Sequence, residues 1–367
     1  MNKSIRVLYS FPHKLGAERI CTTAWYQVSG LLQAGATVIV YPGAVSRSLP
    51  PGTTVRPTLA KGRLRLPYSL VGAMRAFAIH DYVVARRLKR MGKAAVDVVH
   101  TWPLGALHTL QVASELGIPT FLERPNAHTR FAYEVVRAEC ERIGVSLPKG
   151  HEHAYNQRVL EKEEAEYQLA SRLLCPSDFV ARTFRERGFS ETRIARHQYG
   201  FDAQRYYPPR DTRPLDSGLR MLFVGGCAPR KGLHYALEAW LASTASRNGE
   251  FLIAGGFVPG YAERLSAMLS HASVRVLGHR TDVAELMRSS DLLVLPSIEE
   301  GSALVTSEAR GSGCVLLVSE AAGAICEHMK DALVHRVGDV AALTGHLNQL
   351  DADRELLSKL RRTSQQS

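Results

Sequence analysis

The stretch Leu293-Val294-Leu295-Pro296-Ser297-Ile298-Glu299-Glu300-Gly301-Ser302-Ala303-Leu304-Val305-Thr306-Ser307-Glu308-Ala309 reads as a buried strand, a loop of small residues and the start of a helix. Its strand, Leu292–Pro296, is a continuous apolar run and does not alternate. Such strands are buried on both faces, which points to a parallel sheet covered by helices. Working outward, the same kind of run recurs at Leu219–Gly225, Phe251–Gly255, Val274–Gly278 and Val315–Ser319 in the second half of the chain. In the first half it recurs at Ile5–Phe11, Thr37–Tyr41, Asp97–Trp102, Pro119–Glu123 and Arg172–Cys175. Helical stretches separate these runs. The strand–helix alternation occurs twice, which predicts an α/β chain of two doubly wound, Rossmann-like domains facing across a cleft, with ligands at the C-terminal ends of the strands. Between the two series, Tyr207–Gly218 carries three prolines and a terminal glycine and reads as a linker. The expected division is a first domain at 1–206, a linker at 207–218 and a second domain at 219–367.

Composition agrees with that division. A chain of 367 residues, 45% hydrophobic and 22% charged, is long enough for two packed cores and is not of disordered composition. It has no run of about 18 apolar residues, so no helix of it is expected to span a bilayer. The apolar run at Ile5 is too short for the core of a signal peptide, and a cytoplasmic location is the expectation. The six cysteines, at 21, 140, 175, 227, 314 and 326, show no metal-knuckle spacing and read as reduced, mostly buried residues.

The net charge of +11 is unevenly placed. Residues 1–95 hold fifteen Lys/Arg and two acids, Glu18 and Asp81, whereas the remainder is close to balanced. A field of this kind favours an anionic partner such as a membrane surface. From Ser69 to Met91 the stripe Leu70, Met74, Phe77, Val84, Leu88, Met91 has helical spacing, interrupted at Asp81. Basic residues surround it, including Arg63, Arg75, Arg86, Arg87, Lys89 and Arg90. A basic amphipathic helix can lie on an anionic bilayer; alternatively its apolar face packs on its own domain and its charges are solvated. No basic motif interleaved with aromatics is present, so nucleic acid is not an expected partner.

Two segments carry the chemistry. Glu300 and Glu308 have seven residues between them. A carboxylate accepts paired hydrogen bonds and suits the vicinal hydroxyls of a sugar, although on spacing alone glutamates of a surface helix are usually solvated. The loop amides and helix start at Gly301, Ser302, Ala303 and Leu304 can approach an anion or a hydroxyl-rich ligand. The second segment, Met221-Leu222-Phe223-Val224-Gly225-Gly226-Cys227-Ala228-Pro229-Arg230-Lys231-Gly232-Leu233, is a strand, a flexible turn and two adjacent cations, Arg230 and Lys231, suited to clamp a diphosphate.

Together these segments resemble the retaining nucleotide-sugar glycosyltransferases of family four, which have the GT-B fold. The resemblance rests on Pro296-Ser297, Glu300-Gly301, Glu308-Ala309 and Lys231-Gly232. It is supported by Asp97-Val98-Val99-His100, Gly200-Phe201-Asp202, Asp291 and Gly338-Asp339, and so spans nearly the whole chain. It implies transfer of a sugar from a nucleotide-diphosphate sugar to an acceptor hydroxyl with retained configuration, with the donor held by the second domain. Lys231, assisted by Arg230, would hold the diphosphate; Glu308 the ribose; Glu300 would face the donor sugar, and the backbone of Gly301–Leu304 its hydroxyls or phosphate. His279-Arg280 would lie beside the base. In the first domain, His128 would face the acceptor and reaction centre, and the loop at Gly16 would approach the leaving phosphate or the acceptor, although a glycine there also simply permits a tight turn.

This chain departs from the family pattern in three ways. It has Gly226 where family members have arginine, Gly301-Ser302-Ala303 in place of Gly-Phe-Gly, and no continuation beyond Ser367 into the family's final crossing helix. The resemblance implies no cofactor and no metal. Asp351-Ala352-Asp353 lies in a helical context near the tail and is not read as a metal site. His151-Glu152-His153 is expected to be solvated surface. The implied partners are the nucleotide-sugar donor, a sugar or lipid-linked acceptor and an anionic membrane surface, in cell-surface polysaccharide or glycolipid synthesis. Alternatives are a catalytically weak carbohydrate- or lipid-binding protein of the same fold, or another GT-B enzyme such as an epimerase or a phosphorylase.

Overall fold

In the computed structural model every apolar run predicted as a buried strand is a strand. The structure describes residues 4–61, 64–66, 71–211, 213–214 and 217–366. Arg63, Ser69 and Leu70 of the basic stretch, and Thr212, Leu215 and Asp216 of the expected linker, lie outside the described residues. The strands in chain order are β1 (Arg6–Leu15), β2 (Thr37–Val45), β3 (Thr54–Val55), β4 (Ala60–Lys61), β5 (Leu64–Arg65), β6 (Val98–Thr101), β7 (Thr120–Glu123), β8 (Arg172–Cys175) and β9 (Ile194–Arg196), then β10 (Arg220–Val224), β11 (Glu250–Ala254), β12 (Val274–Gly278), β13 (Leu292–Leu295), β14 (Val315–Ser319) and β15 (Ala332–His335). The first sheet has the order β3-β2-β1-β6-β7-β8-β9, the second β12-β11-β10-β13-β14-β15, and every pairing in both is parallel. β4 and β5 form a separate antiparallel pair. Both large sheets thus reverse direction beside their first strand, the arrangement of doubly wound nucleotide-binding domains.

The same device starts both sheets. Asp97, just before β6, accepts the backbone N–H of Arg6 at 2.8 Å and pairs with its guanidinium at 2.7 Å. Asp291, just before β13, accepts the backbone N–H of Arg220 at 2.9 Å and is itself buried against Arg213 and Arg361. In each domain a carboxylate just before one strand (β6 or β13) fixes the start of its neighbour that comes first in the chain (β1 or β10).

Successive residues of β1 face opposite sides. Val7, Tyr9 and Phe11 pack with Ala24 and Val28 of the helix Ile20–Gln33, whereas Leu8 packs with Val84 and Leu88 of the helix Ala73–Met91. The apolar stripe of that basic helix is therefore committed to its own domain. Asp81, which interrupts the stripe, is buried because its carboxylate accepts the N–H groups of His108 and Thr109 (2.8 and 2.9 Å), satisfying the first turn of the helix Leu107–Glu115. The six cysteines are free, four buried and two half-buried.

The two compact units interleave along the chain and do not part at residue 206. One comprises 1–125, 156–175 and 185–197, the other 126–155, 176–184 and 198–367. The helix Thr129–Ile143, expected in the first domain, belongs to the second unit. Its Val136 and Cys140 pack with Ile298, and its Glu139 pairs with His234 at 2.8 Å.

Candidate active site

β10 and β13 are neighbours at the reversal point of the second sheet, and the turns that follow them meet. After β10, Gly225 adopts a positive φ and a 3-10 turn, Pro229–Lys231, carries the two cations. After β13, Pro296–Gly301 carries the two carboxylates. The N–H of Ile298 donates to the carbonyl of Arg230 at 2.9 Å and stitches the turns together. Because the two strands are adjacent, residues nearly 70 positions apart become contacts.

The result is a buried cluster of four charges. Lys231 Nζ contacts Glu300 Oε1, and Arg230 Nη1 lies 3.2 Å from Glu300 Oε2 and 3.3 Å from Glu299 Oε2. The same guanidinium nitrogen donates to the carbonyl of Glu299 at 2.8 Å, and Ser297 Oγ donates to Glu300 Oε1 at 3.3 Å. Burial disfavours every one of these charges, and the opposite charges answer it unequally. Arg230 is held above its usual value by Glu300 and Glu299, and Glu300 is held below its own by Arg230 and Lys231. For Lys231 burial wins and its pKa is lowered. A partly desolvated ammonium of this kind gains much from an incoming phosphate.

Glu308 sits apart from this cluster, on the helix Leu304–Gly311. Burial raises its pKa, which a hydrogen bond from Tyr206 and the charge of Arg205 oppose. The helix starts at Ala303, which offers no side-chain cap. Gly301 is buried and its carbonyl accepts Ser177 Oγ–H; Gly323 is held so close that a Cβ there would lie 2.2 Å from the Gly301 oxygen. Ser302 and Leu304 are half-buried and Ala303 is buried. His279 is exposed, and Arg280 is engaged by Asp282, with Nε to Oδ1 at 2.8 Å. Gly16 lies in the first unit, with φ +76° and its N–H bonded to the Cys21 carbonyl.

His128 was expected in the first domain and belongs to the second unit, because Ala127 and Phe131 around it pack with Phe179 and Ala321. It caps the helix Thr129–Ile143: its Nδ1 accepts the N–H of Arg130 at 3.3 Å, and its ring stands against Phe184. A neutral ring that accepts at Nδ1 carries its proton on Nε2. The preceding residue reaches the charge cluster directly, as the N–H of Ala127 donates to Glu299 Oε1 at 3.2 Å.

Two members of the cluster were not foreseen. Glu299 is fully buried, and burial would raise its pKa, but His153, Arg230 and the Ala127 N–H hold it at about 2. His153, in the His151-Glu152-His153 run expected to be solvated, is only 6% exposed and points Nε2 at Glu299 Oε2 from 3.3 Å. The run forms a turn and not a helix, which allows one imidazole to turn inward. The one sequence signal was the doubled acid Glu299-Glu300, placed directly after a buried strand. Among the described residues no group of three or more His, Cys, Asp or Glu is arranged to hold a metal.

Known structures share this architecture over the whole chain. Sucrose-phosphate synthase from Thermosynechococcus elongatus superposes with a TM-score of 0.68 at 16% identity, covering 99% of this chain and 94% of that one. Anabaena Alr3699/HepE, solved in complex with UDP and glucose, gives 0.63 at 15% identity with the same coverage. The class is thereby fixed as a protein of GT-B fold with two Rossmann-like domains. Residues 218–353 match the family Glycosyl transferases group 1, which agrees with the likeness to family-four glycosyltransferases drawn from the sequence. A curated relative, the N,N'-diacetylbacillosaminyl-diphospho-undecaprenol alpha-1,3-N-acetylgalactosaminyltransferase of Campylobacter jejuni, is 25% identical over 158 residues. That match covers 42% of this chain and 40% of the relative's length.

Proposed function

We propose that the chain transfers a sugar from a nucleotide-diphosphate sugar to an acceptor hydroxyl with retention of anomeric configuration, in the synthesis of a cell-surface polysaccharide or glycolipid. The observation that carries this reading is the pairing of Lys231 and Arg230 with Glu300 at adjoining strand ends. The two cations receive the diphosphate and stabilise the charge that develops on it as the glycosidic bond breaks, which makes a metal unnecessary in this reading. Glu300, released from Lys231, faces the sugar. Glu308 takes the ribose hydroxyls, and the amides at Gly301–Leu304 take sugar hydroxyls or phosphate. His128, with its proton on Nε2, serves the acceptor side.

The relative from Campylobacter jejuni is named for a lipid-diphosphate acceptor, which favours a lipid-linked acceptor here as well. No helix among the described residues is long and apolar enough to cross a membrane, so access to such an acceptor would rest on peripheral binding through the basic first domain at the cytoplasmic face. Calorimetric titration with UDP, GDP and ADP tests the donor site. Saturable binding of one of them, lost in Lys231→Ala and Glu308→Ala, supports the reading; a folded chain that binds none of the three overturns it.

A further inference from the structure

Four charges lie in the cluster and they cancel, with Arg230 and Lys231 facing Glu299 and Glu300. A diphosphate cannot enter such a set without displacing a carboxylate from a cation. The contacts show which pair is built to open. Glu300 has an alternative donor in Ser297 Oγ, so it can let go of Lys231 without being stranded. Glu299 is anchored from three sides, by the Ala127 N–H, the imidazole of His153 and the guanidinium of Arg230. Arg230 is gripped in turn by both the carbonyl and the carboxylate of Glu299.

We propose that His153 is a positioning residue for the diphosphate clamp: it pins Glu299, Glu299 pins Arg230, and Lys231–Glu300 is left as the pair that exchanges for the donor. This rests on the donor site proposed above. Without the imidazole, Glu299 keeps its negative charge but loses one of its three anchors. It is then free to follow the cations toward the place of the incoming phosphate, where it repels the ligand and releases Arg230. Glu152 Oε1 lies 3.6 Å from Nδ1, and the His151 ring stands alongside at 5.9 Å. The ring also borders a cavity of about 330 Å³ lined by Tyr133, Cys140, Leu147 and Tyr155. That space leaves room beside the ring for a substituted side chain.

The test is a titration of the full chain with whichever of UDP, GDP or ADP the wild type binds, and with the matching nucleoside monophosphate. His153→Leu keeps bulk and removes the donor. It is expected to weaken the diphosphate about tenfold, the scale of a hydrogen bond to a charged group, and the monophosphate much less. His153→Gln, which restores an N–H donor, should recover most of that loss. In a Glu299→Gln background, His153→Leu should have no further effect. Should the leucine variant not fold, His153→Asn, too short to reach the carboxylate, replaces it in the same cycle. Equal loss of both nucleotides, no loss, or a full effect of His153→Leu in the Glu299→Gln background would each overturn the inference while leaving the donor site standing. Failure of the wild type to bind any nucleoside diphosphate would remove the donor site itself, and the inference with it.

Discussion

Gly232 lies against the backbone of Pro296: a Cβ placed on Gly232 would be 2.0 Å from the Pro296 carbonyl oxygen, and the residue's φ is +67°. This contact lets the turn bearing Arg230 and Lys231 settle onto the end of β13, directly beside the carboxylates. Gly232→Ala meets two penalties, a left-handed backbone worth about 1–2 kcal/mol and a clash with backbone that cannot rotate away. The variant is expected to be destabilised by about 2–4 kcal/mol in urea titrations and to bind nucleoside diphosphate far more weakly. A variant that unfolds and binds like the wild type would show that the turn can reach its place without this contact.

Lys231 and Glu300 are buried partners, so removing one strands the other. Lys231→Met should destabilise the chain by about 3–5 kcal/mol, the usual cost of leaving a buried charge unpaired. The double variant Lys231→Met/Glu300→Gln removes both charges and should regain much of that stability. Neither variant is expected to bind the diphosphate. Denaturation midpoints of the wild type, the two single variants and the double variant measure the coupling. A double variant no more stable than Lys231→Met would mean that solvent reaches Glu300 when its partner is gone.

Much of this was legible in the sequence, and what was not has identifiable causes. Ten strands were readable because each is an apolar run bounded by turn residues. The other five were not: β3, β4 and β5 are two residues each, and β9 and β15 are short runs at the sheet edges. Arg230, Lys231 and Glu300 stood out in the sequence through the family likeness; that they touch one another comes from the adjacency of β10 and β13, which no sequence pattern orders. Asp81 appeared only as a break in an apolar stripe; its partners are amides of another helix, and no side-chain pattern announces an amide. His153 was missed for a related reason. A histidine in a polar run looks solvated until the fold supplies a buried carboxylate, and Glu299 lies 146 positions away. The helix Thr129–Ile143 was assigned by its place in the chain, whereas its contacts put it with the second unit.

Acid should loosen the contact between that helix and the helix Leu233–Ala242. Burial would raise the Glu139 pKa, but hydrogen bonds from His234, Arg142 and Tyr235 reverse this and hold it at about 2, against an ordinary 4.5. A carboxylate depressed in the folded state contributes stability that is fully present above its unfolded value and is lost as pH falls toward the folded one. The wild type should therefore lose stability between about pH 5 and pH 2, with Glu299 adding to the loss in the same window. Glu139→Gln should be less stable at pH 7 and show a shallower fall. Thermal melts across this range check it; parallel curves for the two proteins would remove Glu139 from the account.

The outer face of the helix Ala73–Met91 offers a sharper test of the membrane proposal than the charge count did. With Phe77, Val84 and Leu88 buried in its own domain, the apolar stripe is not available to a bilayer. The opposite face is: Arg75, Ile79, Tyr82, Arg86, Lys89 and Arg90 fall on one stripe at helical spacing, and all are exposed. Tyr82 is 58% exposed and Ile79 43%, so the surface mixes basic charge with an aromatic and an aliphatic side chain suited to a headgroup layer. Lys89 has an exposed acidic neighbour, Glu115 at 3.8 Å, a pairing too weak to cancel it. At about 1 kcal/mol per basic residue near an anionic surface, Arg75→Glu/Arg86→Glu/Arg90→Glu should release the chain from phosphatidylglycerol vesicles in flotation at low salt and leave nucleotide binding in solution unchanged. Raising the salt should release the wild type in the same way. If the wild type stays with the unbound fraction even at low salt, this face is solvated surface, and the membrane part of the proposal falls.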